Sequence, residues 1–248
     1  MEILSQFLLR LAFGLAVGMA ITSPRQVSSG YFRNHLYVTL GLATLAALAL
    51  AQLSTAAAWL ASVAAGLSFF GAACWLYEAK RAGRATLWLV ALCSLAAAVV
   101  GQIPTATSGI LAISRLIATT TSGLVLGLTL AAMLLGHWYL NSPGMELAPL
   151  RRLLAAAAAA VVVQAIVSGV GLAMESTATA ISMNWLMLVV LRWSFGLCGV
   201  LALVWMAWRT LDIPNTQSAT GILYVAVIGV FVGELTAALL SAESAFPL

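Results

Sequence analysis

Three charged residues of this sequence lie inside long apolar runs: Arg10, Arg192 and Glu234. A charge placed in hydrocarbon costs at least about 2.5–3.5 kcal/mol even on the lenient insertion scale, so such residues are paired or put to use. Two cations against one anion leave a surplus positive charge. That surplus suits a quinone headgroup, a proton path or an anionic lipid. Gln102 and Gln164 add amide donors and acceptors in similarly apolar surroundings. These five residues are the intramembrane binding candidates. The plainer reading of the same residues is structural: an Arg192–Glu234 ion pair between successive helices, with Arg10 snorkelling outward toward Glu2.

The chain has two histidines, His35 and His137. On different helices at similar depth they could be axial ligands of one haem b. An imidazole at the membrane interface among Tyr37, Trp138 and Tyr139 needs no iron, however, and that reading is the simpler one. Cys74, Cys93 and Cys198 fall in apolar runs without CxxC or Cys/His spacing, so they read as small buried hydrophobes and no metal site is assigned. The motifs of P-loop nucleotide hydrolysis, zinc proteolysis, serine hydrolysis and c-type haem attachment are missing. No catalytic residue is therefore named, and whether the protein is an enzyme stays open.

The elements that must position these residues follow from composition. Of 248 residues, 63% are hydrophobic and 7% charged, with a mean hydropathy of +1.07. A soluble domain carries about a quarter charged residues. Apolar runs of about 20 residues recur along the chain, which predicts an all-α polytopic integral membrane protein. Eight transmembrane helices are expected, at about 3–22, 35–53, 55–78, 85–103, 115–140, 152–174, 182–209 and 218–241. Ser or Thr at 54–55 can cap the third helix, and all six prolines fall outside these spans. The whole of 1–248 reads as one membrane domain. The start is acidic and Arg10 interrupts its apolar run, so no cleavable leader is expected.

Basic residues set the orientation. Arg25, Arg33, Lys80, Arg81, Arg84, Arg151, Arg152 and Arg209 fall on one side, and Arg115 alone on the other. In a membrane protein that asymmetry marks the cytoplasmic side, so the net charge of +4 is no sign of nucleic-acid binding. Both termini are expected on the non-cytoplasmic side of a membrane of the bacterial inner type. Tyr31, Trp75, Trp88 and Trp138 would belong to an aromatic belt at the inner interface, with Trp59 and Trp185 on the outer side.

Short peptides also recur. Ser23-Pro24 and Arg33 match Ser142-Pro143 and Arg152, while Val100-Gly101-Gln102 resembles Val232-Gly233-Glu234. Matching elements are four helices apart, which predicts two parallel four-helix halves, residues 1–114 and 115–248, related by an axis near the membrane normal. Gly14-x-x-x-Gly18 is expected to let helices of this chain approach closely.

Short loops suit a protein covered by other membrane subunits. The leading expectation is an integral subunit of a redox or electron-transport assembly that anchors partners and contacts quinone. The alternative is a small-molecule or ion transporter or channel with a polar site in the outer half of the membrane.

Overall fold

The structure, a computed structural model, describes residues 1–102, 109–142, 144–175, 182–213, 215–244 and 246–247. The described residues are all-helical, with no strand among them. They form α1 (Glu2–Ile21), α2 (Ser29–Leu50), α3 (Thr55–Leu76), α4 (Lys80–Val100), α5 (Gly109–Asn141) and α6 (Ala148–Glu175). Next in the chain are α7 (Met183–Thr210) and α8 (Thr216–Glu243). Seven of these helices are long and apolar enough to cross a membrane, and α2 is not in that set. Their outward faces carry the exposed apolar side chains: Leu48, Phe69 and Leu92 on α2, α3 and α4, and Ile166, Met187 and Ile228 on α6, α7 and α8. Outside water such a surface is satisfied only by lipid or another apolar protein face, so the fold fits a polytopic integral membrane protein.

Several helices begin four to six residues before their apolar runs. α4 starts at Lys80 and takes in Arg81 and Arg84, and α5 starts at Gly109. Hydropathy marks where hydrocarbon would lie, whereas the hydrogen-bond ladder continues into the headgroup layer. For the same reason Pro149 is not outside its helix but in the first turn of α6, where its missing N–H has no intrahelical partner to lose. Ser54 does cap α3, its side chain accepting from the Ala57 N–H.

α1 packs on α2, α4 and α5, and α5 packs on α6 and α8. The remaining neighbours are α2 with α3, α3 with α4, α6 with α7 and α7 with α8. α1 and α5 run in the same direction. A Cβ added to Gly14 would overlap the Gly123 carbonyl, and one added to Gly18 would meet Ala131 further along α5. Gly127 in turn faces the Gly14 backbone. Both helices thus present small-xxx-small pairs, Gly14/Gly18 and Gly123/Gly127, and touch backbone to backbone. Without water to drive association, such close packing is what holds membrane helices together.

Tyr31 and Trp75 face the core rather than outward and are fully buried. Phe32 stacks on Trp75 at 4.1 Å and Tyr31 meets it edge-on, forming the core at the basic end. Trp59 and Trp88 do face outward. Among the cysteines, Cys74 is buried but Cys198 is exposed, because its helix face points away from the bundle.

Candidate functional site

α7 is α-helical to Leu191, becomes a π-helix over Arg192–Gly199, and resumes as α-helix from Val200. A π turn adds a residue per turn and rotates the remainder of the helix, and such turns occur frequently at functional sites. Before it, Met183–Leu191 buries no side chain; within it, Arg192, Gly196 and Leu197 are buried. Gly196 sits against Gly233 of α8. A Cβ on Gly196 would come within 2.6 Å of the Gly233 Cα, and one on Gly233 within 2.5 Å of the Gly196 Cα. That contact brings the Arg192 and Glu234 side chains together beside it.

The expected ion pair is present. Arg192 Nη1 donates to Glu234 Oε1 at 2.7 Å, with side-chain exposures of 1% and 2%. The other carboxylate oxygen, Oε2, accepts from the Ser122 hydroxyl on α5. Arg192 is less well served. Its Nε and Nη2 are buried with no hydrogen-bond partner among the described residues. Leaving such donors unsatisfied is costly.

Glu234 also lines a cavity of about 770 Å³ at the end of the molecule where α1 and α5 begin and α4 and α8 finish. Its wall includes Arg10, Gln102, Gln164 and Glu234, so it unites four of the five candidates; Arg192 stands behind Glu234. Arg10 does not behave as expected. It shares the cavity with Glu2, but among the described residues it makes no salt bridge, with Glu2 or any other group, and its buried Nε lacks a partner. It feels both the attraction of Glu234 and the repulsion of Arg192. Gln102 lies just past the end of α4 and donates from Nε2 to Thr119 Oγ1 at 2.6 Å. Gln164 Oε1 accepts from Thr121 Oγ1. Leu126, Phe7 and Ala237 supply apolar wall.

Sequence reasoning overlooked Gln6, Thr119, Thr121 and Ser122. Gln6 donates to the Ala98 carbonyl at 3.0 Å while its Oε1 is left buried and unpartnered at the cavity wall. The other three belong to the run Thr119-Thr120-Thr121-Ser122, a polar run in a mostly apolar helix. That run was the available signal. Arg115, which the sequence presents only as a loop charge, lines the cavity too.

Gly101 caps the end of α4, whereas its match Gly233 lies well inside α8. Pro143, the match of Pro24, lies outside the described residues. The histidines are elsewhere. His35 is buried, its Nδ1 2.6 Å from the Tyr31 carbonyl oxygen and its ring against Tyr31 and Trp138. His137 Nδ1 is 3.3 Å from the Tyr224 hydroxyl. Neither lines the cavity. Among the described residues no group of His, Cys, Asp or Glu could hold a metal ion.

The fold and this cavity define the class: an all-helical protein of membrane type with charged and polar side chains in a cavity at one end. The chain matches no known protein family, no curated protein and no solved structure.

Proposed function

We propose that this protein is an integral membrane subunit of an electron-transport assembly, and that its cavity takes the headgroup of a lipid-soluble quinone. One observation carries the reading: a chamber of about 770 Å³ joins unpartnered donors to apolar wall inside a membrane-type bundle. A quinone ring offers carbonyl acceptors on opposite edges and little else to bond. Arg10, whose Nε lacks a partner, is a donor for those oxygens, while Phe7 and Leu126 suit the ring faces. Glu234, with Ser122 behind it, is the group able to exchange a proton with a bound headgroup. The electrons would come from partner subunits docked on the exposed apolar faces.

The proposal includes the topology. The first turn of α1 and the last of α8 line the same cavity, so an even number of crossings fits better than seven. We therefore count α2 as a spanning helix whose polar first turns, with Arg33, Asn34 and His35, lower its hydropathy. The packing order supports two four-helix halves, each a ring of neighbours, joined through α1 and α5. The eight-to-one basic asymmetry supports placing the cavity on the non-cytoplasmic side of a bacterial-type inner membrane.

The test is purification from the native membrane in mild detergent, solvent extraction, and mass spectrometry of co-purifying proteins. A stoichiometric quinone, lost in a folded Arg10→Leu variant, is the expected result. An empty protein without partners sinks the reading. A second reading, a transporter with one-sided access, draws on the π segment beside the cavity, since such turns occur frequently at functional sites. Substrate-dependent uptake by protein-only vesicles would decide for it.

A further inference from the structure

At the opposite end, Arg25, Arg84 and Arg152 converge on a cleft of about 340 Å³ lined also by Ile21, Ser23 and Pro24. The three arginines come from the loop after α1, the first turns of α4 and the first turns of α6. We propose that this cleft is a binding site for the phosphate of an anionic phospholipid.

Charge accounting at this end is the first support. It holds eight basic residues and three acidic ones, Glu78, Glu146 and Asp212. Each acid is already engaged. Glu78 pairs with Lys80 and accepts from Ser29; Glu146 accepts from Gln26; Asp212 is shared by Arg151 and Arg209. Arg25, Arg84 and Arg152 are in none of these pairs, and no acidic side chain lines their cleft among the described residues. Like charges on separate elements repel, so their convergence is best explained by an anion between them. Arginine is suited to that role, because its planar fork meets two phosphate oxygens at once.

The surroundings point to a lipid rather than a free anion. Ile21, the last residue of α1, lines the cleft and is exposed. Trp88, one turn beyond Arg84 on the same face of α4, is exposed too. Moving from the cleft along α4, charge gives way to an aromatic and then to exposed Leu92, the profile of a headgroup, an interface and an acyl chain. Nothing in this cleft depends on the quinone reading.

Native mass spectrometry of the detergent-purified protein tests it, using phosphatidylglycerol, phosphatidylcholine and inorganic phosphate as probes. Phosphatidylglycerol should bind at least about tenfold tighter than phosphatidylcholine. Arg84→Gln/Arg152→Gln should abolish that preference, while Arg33→Gln/Arg81→Gln, which removes the same charge at the same end, should keep it. Equal weakening by both pairs would mean diffuse surface charge and overturn the site. So would equal binding of the two lipids, and displacement of lipid by millimolar phosphate would reassign the cleft to a soluble anion. Should the glutamine pair fail to fold, Arg84→Lys/Arg152→Lys retains charge without the fork and is expected to weaken lipid binding severalfold; unchanged binding overturns the proposal.

Discussion

Two ion pairs, one at each end of the molecule, use the same chemistry to different effect. Arg192–Glu234 is 2.7 Å long and sealed from solvent, with exposures of 1% and 2%. Arg151–Asp212 is 3.1 Å long, with exposures of 34% and 40%, and Asp212 also serves Arg209 at 3.2 Å. The first pair has given up hydration that its partners only in part replace, since two nitrogens of Arg192 go unbonded. The second keeps water, and Arg151 is held two ways besides. It donates to the Leu211 carbonyl at 2.9 Å and lies over the Trp208 ring at 5.5 Å. A buried pair is costly to make and costly to break, whereas an exposed one matters little either way. Glu234 of the costly pair forms part of the wall of the cavity. A membrane protein seldom carries an intramembrane charge without a use for it.

The largest expected effect comes from breaking the buried pair. Glu234→Gln strands Arg192, and unfolding in detergent should show a loss of about 3–5 kcal/mol. Replacing both, Arg192→Leu with Glu234→Leu, removes the stranded charge and should restore most of that stability. If the double variant is no more stable than Glu234→Gln, the two side chains do not act as one energetic unit. The double variant should still lose ligand binding, which separates the carboxylate's chemistry from its role in packing.

Which of these features the sequence reveals divides along physical lines. The pair was legible because charges in apolar runs are rare and consecutive helices are neighbours. The all-helical, membrane-type character was legible from hydropathy, yet α2 shows the limit for the count of spans: its polar first turns put it outside the set of helices apolar enough to cross. The cavity was not legible. It depends on which faces of α1, α4, α5 and α8 meet, and that is set by the Gly14, Gly123 and Gly127 contacts between α1 and α5. The π segment was equally hidden, because the residues of Arg192–Gly199 do not differ in kind from a helix that stays regular. Arg10 was misjudged for a related reason. Snorkelling assumes a lone helix in lipid, whereas this side chain faces a chamber built from other helices.

The next effect sharpens the role of the π segment. Gly196→Ala puts a methyl 2.6 Å from the Gly233 Cα, a contact with backbone that no rotamer can relieve. α7 and α8 must separate, and overpacking of this kind costs about 1–3 kcal/mol. Gly221→Ala is the matched control. It lies on α8 with nothing within 4 Å of an added Cβ, so losing glycine's backbone freedom there should leave stability unchanged or raise it by about 0.5–1 kcal/mol. Similar melting temperatures for the two variants would deny that the glycine contact sets the Arg192–Glu234 geometry.

The smallest effect belongs to the exposed pair and completes the contrast. Asp212→Asn should cost less than about 1 kcal/mol, because partly solvated pairs contribute little and Arg151 keeps its carbonyl and ring contacts. Salt distinguishes the two ends more sharply than size does. At 1 M ionic strength charges are screened beyond about 3 Å where solvent reaches them, so the difference between Asp212→Asn and the unaltered protein should vanish. The deficit of Glu234→Gln should persist, since ions do not enter a site that excludes water. Parallel melts at low and high salt would read both differences at once. A Glu234→Gln deficit that also disappears in salt would mean that water reaches the Arg192 side chain, and that the cavity is wetter and more open than the two burial values allow.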